Sequence, residues 1–183
     1  MANAIILRRR YAEIAVTIDL VEIRERTAAN REQNLAFCRY VHEHRHRIEE
    51  FQEIASRVQR EIDCTACANC CRQTVVGVGP AEIGAIAGYL GMDEDLAMHR
   101  YTRPDPEDSQ ARVLKNEHNA CVFLDGNLCT IYDVRPQACR DFPHVAPHCH
   151  SLGGRLSSLC RKAEICPIVY NAFEQYKERL GFR

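Results

Sequence analysis

The sequence has no tryptophan, and its first 76 residues contain neither glycine nor proline. Such a stretch lacks the usual breakers of regular structure, which excludes a turn-rich N-terminal half. Neither sign of charge is in excess: 24 Lys+Arg against 25 Asp+Glu gives a formal net charge of −1. That balance gives no indication of a generally basic nucleic-acid-binding surface. No apolar run approaches the ~20 residues that span a bilayer, so no membrane contact is expected. The start, MANAIILRRR, puts a short apolar patch before its arginines, the reverse of a secretory signal, and the expected location is cytoplasmic. A P-loop, a GxGxxG fingerprint and a nucleophile elbow are also missing, and Gly77-Val78-Gly79 lacks the third glycine. With 46% hydrophobic and 27% charged residues, the composition is nevertheless that of a globular protein.

What is abundant is cysteine. There are 11, ten of them after residue 63. An odd count without a secretory signal argues against a disulfide scaffold. In a reducing compartment, thiols clustered at short spacings are metal ligands or redox groups more often than bridges.

The N-terminal 62 residues read as helix. Tyr11, Ile14, Ile18 and Val21 recur at steps of three and four. A second stripe runs Phe37, Val41, His44, Ile48, Phe51, Ala55, Val58 and Ile62, alternating steps of four and three like a coiled-coil seam. Thr27 to Asn30 is the best break between them, which predicts a helical hairpin or coiled-coil-like arm over residues 1–62, with one continuous long helix as the alternative. A two-helix unit buries little alone. Its seam is expected to pack against the other stripe, the cysteine-rich part, a second copy of the chain or another protein partner.

Residues 63–183 are expected to form a small cysteine-rich metal-binding domain of short strands, loops and a C-terminal helix. Pro80 opens a helix ending near Gly88 to Gly91, and Asp93 caps a second reaching Arg100. Short strands are expected over residues 111–116, 120–125 and 128–132, with a turn at Gly126-Asn127. Pro136 opens one helical turn, and Pro167 opens a last helix bearing Ile168, Ala172, Tyr176 and Leu180 on one face. The expected fold class is α+β, mainly α.

The chemistry concentrates in Cys64-Thr-Ala-Cys67-Ala-Asn-Cys70-Cys71. Two thiolates separated by two residues can bind one metal from a tight turn, as in zinc knuckles. Three at successive such spacings also match the opening of a bacterial ferredoxin run. Cys121 follows in Cys-Val-Phe-Leu, Cys129 in Cys-Thr-Ile-Tyr, and Cys139 in Arg-Pro-Gln-Ala-Cys-Arg-Asp-Phe-Pro. In this combined order the chain resembles the CxxCxxCC cysteine-cluster family of zinc- or iron-chelating domains, over roughly residues 64–166. Members of that family are mostly small bacterial proteins, and similar clusters occur in flagellin lysine N-methylases.

Residue by residue, the resemblance implies Cys64, Cys67, Cys70, Cys71, Cys121, Cys129, Cys139 and Cys160 as metal ligands. Cys149 and Cys166 are auxiliary candidates, and Cys38 reads as a small apolar helix residue. Arg72, Arg135 and Arg140, with Arg161, stand in or beside the motifs and are expected to offset thiolate charge and donate to sulfur. His42, His44 and His46 read as a solvated helix face. His118, His144, His148 and His150 read as loop or packing residues. Eight thiolates suit one or two four-cysteine sites. The triple spacing favours an iron–sulfur cluster of the [4Fe-4S] type, with Zn²⁺ the close alternative. Three functions follow as expectations: a metal centre that folds its domain, with a redox or accessory role; an enzyme using a cluster for electron or methyl transfer; or a helical, partner-binding or dimerising adaptor with a structural metal.

Overall fold

The computed structural model describes residues 15–44, 48–145 and 159–183. The fold is mainly helical, with a few two-stranded sheets, so it is α+β with α predominant. The chain divides into two compact units, 1–62 with 150–183, and 63–149. A boundary falls after Ile62, but the C-terminal segment joins the N-terminal helices and not the cysteine-rich part. The expected continuous domain over 63–183 is corrected accordingly.

In the helical unit, α1 (Leu20–Ala29) starts at Asp19, whose carboxylate accepts from the backbone N–H of Val21 and Glu22 at 2.8 and 3.2 Å. That satisfies two of the donors every helix start leaves open. Asn30 interrupts the helix within the expected break, and α2 (Arg31–Glu43) follows. His44 ends α2, and α3 (Ile48–Glu61) takes up the seam. The stripe is therefore carried by two helices, not one, and His44 is exposed at a helix end. Phe37, Val41, Phe51, Ala55, Val58 and Ile62 are buried as the spacing demands.

Their partner is the C-terminal helix, α9 (Pro167–Arg179), which packs chiefly on α3 and also on α1. Ile168, Val169, Ala172, Phe173 and Tyr176 of α9 are buried almost completely. The ring of Phe37 meets those of Phe173, Tyr176 and Phe182 at 6.1, 5.6 and 5.1 Å between centroids. Phe51 meets Phe173 and Tyr176 at 5.3 and 5.6 Å. The helix ends in a Schellman turn. Gly181, at φ 64°, donates to the Glu178 carbonyl, and Phe182 donates to that of Lys177. This left-handed turn is one that glycine adopts at little cost, and it returns Phe182 onto Phe37 and Tyr40. The seam is thus covered from within the chain, and the stripe itself supplies no argument for a second copy. Of the first expected stripe, Ile18 and Val21 are exposed, whereas Tyr11 and Ile14 lie outside the described residues.

The cysteine-rich unit begins with two helical turns, α4 (Cys64–Cys67) and α5 (Asn69–Gln73), joined at Ala68 with φ 46°. Then come α6 (Pro80–Leu90) and α7 (Glu94–Tyr101), both where the proline and aspartate signals put them. The expected three strands are instead three antiparallel hairpins: β1 (Thr102–Pro104) with β2 (Arg112–Leu114), β3 (Asn116–Glu117) with β4 (Ala120–Cys121), and β5 (Leu124–Asp125) with β6 (Leu128–Cys129). The last two close through two-residue loops. His118 and Asn119 hold φ 51° and 62°, and Gly126 holds φ 57°. Positive φ is what matches such a turn to the twist of its strands. A 3₁₀ turn at Tyr132–Val134 and the short helix α8 (Gln137–Asp141) complete the unit. Its core is Val78, Ile83, Ile86, Leu114, Phe123 and Ile131.

Candidate metal centre

Seven of the eight candidate thiols belong to the cysteine-rich unit: Cys64, Cys67, Cys70, Cys71, Cys121, Cys129 and Cys139. Local structure explains their placement. Cys64 opens α4, where Asp63 caps the turn by accepting from the Thr65 backbone N–H at 2.8 Å and hydroxyl at 2.7 Å. The hydroxyl bond, followed by the backbone one, holds the Asp63 carboxyl below its ordinary range. Cys70 and Cys71 lie on α5, their sulfurs 4.0 Å apart. Cys121 ends β4 and Cys129 ends β6. Cys139 lies on α8, just after Pro136.

The Cys-x-Phe and Cys-x-Ile spacings have a specific use. Phe123 and Ile131 are buried in the core, 4% and 1% exposed, and each anchors the cysteine two residues before it. The same backbone turn lets the N–H of Phe123 donate to the Cys121 sulfur and that of Ile131 to the Cys129 sulfur. Such amide donors stabilise thiolate, the form a metal binds.

Four of the thiols influence one another electrostatically in every pairing: Cys71, Cys121, Cys129 and Cys139. Burial pushes the Cys139 thiol up to about 12, and the charges of Cys121, Cys71 and Cys129 add to it while Arg135 opposes. Burial also raises Cys121 and Cys129, against their amide hydrogen bonds. Cys71 goes the other way, down to about 7, because the Cys70 thiol hydrogen-bonds to it and Arg72 stands beside it. Cys64 is raised by partial desolvation and by the charges of Cys67, Asp63 and Cys71. Thiols that penalise one another's ionisation form a site short of positive charge. A thiophilic cation supplies that charge and displaces the protons. The donor set therefore fits zinc or an iron–sulfur cluster. Among the described residues, no group of three His, Cys, Asp or Glu side chains is already arranged to hold an ion.

Cys160 is not with the others. It belongs to the helical unit, in a disulfide with Cys38 of α2 across a separation of 122 residues. The ligand role that the resemblance implied for it is not what this arrangement provides, and Cys38 is a bridge partner as well as a buried helix residue. Cys166 is buried in the same unit, at the N-cap of α9. Cys149, His46, His148 and His150 lie outside the described residues. His42, His44 and His118 are exposed. His144 is half-buried, its ring centroid 6.1 Å from that of Phe142.

The arginines act differently from expectation. Arg72 donates to the Cys67 carbonyl at 3.1 Å, the Gly126 carbonyl at 2.7 Å and Asn127 Oδ1 at 2.6 Å. Arg135 donates to the Tyr132 carbonyl at 2.6 Å and lies over that residue's ring at 3.7 Å. Arg140 donates to the carbonyls of Arg135 and Asp133 at 2.9 and 3.2 Å. Their N–H groups go to backbone carbonyls and, for Arg72, also to Asn127 Oδ1, while the charges of Arg72 and Arg135 still favour neighbouring thiolates. Sequence reasoning missed two further residues. Glu82 accepts from the Gly79 and Gln137 N–H groups, both at 2.8 Å, fixing the start of α8 to the cap of α6. Its place three residues after the N-cap is a capping-box signal. Asn127 donates to the Ala66 carbonyl at 2.9 Å, and only its turn position was legible.

No curated protein and no solved structure matches the chain. A family model described as CxxCxxCC, putative zinc- or iron-chelating domain, matches residues 63–167, more than half of the chain. That span contains the seven candidate thiols of the cysteine-rich unit together with Cys149, Cys160 and Cys166. With its ordered cysteine run, its two core-anchored hairpin cysteines and the thiol after Arg135-Pro136, the chain belongs to the CxxCxxCC family of zinc- or iron-chelating domains.

Proposed function

We propose that the cysteine-rich unit carries a thiolate-ligated metal centre, seated on Cys71, Cys121, Cys129 and Cys139, that stabilises the fold of this unit. The observation that carries the reading is the packing of the cysteine run on the hairpins: α5, with Cys70 and Cys71, lies against β4, which ends in Cys121, and Arg72 and Asn127 bind the run to the hairpin of Cys129. The mutual influence of the four thiols agrees with it. Cys64, Cys67 and Cys70 stand in the adjacent run and are the remaining donors for a larger cluster or a second ion. Zn²⁺ and a [4Fe-4S] cluster each take four thiolates, and amide donors to sulfur serve either. The unit's central cluster is six buried apolar residues, with Val113, Ala87 and Ala97 also buried. A unit this small has a modest core, to which metal binding adds folding energy.

Anaerobic purification with metal and acid-labile sulfide analysis tests the reading. A brown protein with labile sulfide and broad visible absorption identifies the iron–sulfur form, and a colourless protein with stoichiometric zinc identifies the other. Protein that retains neither metal, and whose melting temperature does not change when zinc or iron with sulfide is supplied, refutes it.

A further inference from the structure

The cysteine run and the hairpin that presents Cys129 are separate in sequence, yet two polar side chains tie them together. Arg72, the residue after Cys71, reaches both sides of the junction: the Cys67 carbonyl on one, the Gly126 carbonyl and Asn127 Oδ1 on the other. Asn127 closes the circuit by donating from Nδ2 to the Ala66 carbonyl at 2.9 Å. Three hydrogen bonds therefore join the α4–α5 turn to the tip of the β5–β6 hairpin, two of them from a guanidinium that a further bond to the Cys67 carbonyl holds in place. Such charge-assisted bonds are stronger than neutral ones, and the planar fork fixes direction as well as distance. The tip itself is a two-residue turn, so Asn127 is set only two residues before Cys129. A shift of the tip shifts the Cys129 sulfur.

We propose that Arg72 and Asn127 are positioning residues, a clamp that holds the Cys129 hairpin in register with the cysteine run so that thiols from both can ligate one centre. The inference rests on the metal-centre reading above and assigns the clamp's task to its hydrogen bonds, not to the charge of Arg72. Arg72 also favours the Cys71 thiolate, and the two roles separate by substitution. Asn127→Ala removes two of the three crossing bonds without changing charge. Arg72→Lys keeps the charge and loses the fork.

The test is anaerobic titration of the reduced, metal-free full-length chain with Co²⁺, whose thiolate charge-transfer and ligand-field bands report ligand number and geometry. Competition with a chelator gives affinity, and far-ultraviolet circular dichroism verifies folding. Both single variants are expected to lose about 10-fold or more in Co²⁺ affinity with an altered ligand-field band, the size usual for residues that orient ligands. Because the two act as one unit, the double variant is expected to lose no more than the worse single variant. Asn127→Asp retains the acceptor for Arg72 but not the bond to Ala66, and falls between Asn127→Ala and the parent. Parental affinity and spectrum in Asn127→Ala overturn the clamp, as does full recovery in Arg72→Lys or simple additivity in the double variant. Should Asn127→Ala fail to fold, Asn127→Asp and Arg72→Lys carry the same comparison. A parent protein that shows no thiolate bands with Co²⁺ and none after addition of iron and sulfide overturns the metal-centre reading and the clamp with it, whereas a parent that binds alongside unaltered variants overturns the clamp alone.

Discussion

Replacing Phe37 by alanine should remove the centre of the helical unit. The ring is 0% exposed and contacts Phe173, Tyr176 and Phe182. Truncation of a buried phenylalanine costs about 3–5 kcal/mol, from lost transfer energy and from the cavity left behind. Domains of ordinary stability have only about 5–15 kcal/mol in total. The expected result is loss of about a fifth or more of the unit's stability. In urea, the helical signal at 222 nm should then fall at a midpoint lower by about 1.5 M or more, taking a slope of about 2 kcal/mol/M. Leu35 provides the contrast. It lies two residues away on α2 and is 41% exposed. Leu35→Ala should change stability by no more than about 0.5 kcal/mol. Both changes delete a large apolar side chain from the same helix, so the comparison isolates burial from hydrophobicity. Phe37→Ala with a midpoint within experimental error of the parent would refute the reasoning, as would Leu35→Ala with an equal loss.

Cys160→Ser should lower the stability of the helical unit by about 2–5 kcal/mol through loss of a cross-link closing a long loop, while metal content stays at the parental value; Cys139→Ser should do the reverse, and elemental analysis with parallel melts separates the two. In the metal-free, reduced protein Cys71 should be alkylated fastest at neutral pH. Its pKa of about 7 means the rate climbs through that value and levels off above it. Cys139, pushed up to about 12, should stay unmodified below pH 10, as peptide mass spectrometry can follow. Burial, with Glu50 and Glu49, raises the Tyr176 hydroxyl to about 12. The unfolded value is about 10, so its contribution is complete below pH 10 and is lost as pH rises toward 12, by roughly 3 kcal/mol. Alkaline unfolding should accordingly move to higher pH in Tyr176→Phe.

Local signals were readable and distant pairings were not. Pro80, Asp93 and Pro167 each open or cap a helix where the sequence puts it, because first-turn prolines and side-chain caps act within a few residues. The seam of Phe37, Phe51 and Val58 was legible as a buried stripe for the same reason. Its partner was not, since nothing in a 3.6-residue period says which distant helix covers it. His44 shows the limit of pattern alone: it satisfies the spacing but falls at a helix end, where the stripe breaks. The cysteine motif identified the thiols but not their grouping. Cys160 follows the family order, yet it lies on the segment that returns to α2 and bonds to Cys38. The arginines were found by proximity to cysteines, and their true acceptors are carbonyls that no residue code reveals.

The discontinuous helical unit has a consequence for biosynthesis. As the chain leaves the ribosome, α1 to α3 emerge first, but α9, which covers Phe37 and Phe51, emerges last. Residues 63–149 form an uninterrupted stretch, and its two-residue hairpins close over distances of a few residues. Domains made of contiguous sequence fold as units while synthesis continues. The cysteine-rich unit is thus free to close before α9 emerges, while the earlier helices keep an uncovered apolar stripe until α9 is released. A chain truncated before Pro167 would carry that stripe permanently, and would be a client for chaperones and proteases despite an intact cysteine-rich unit.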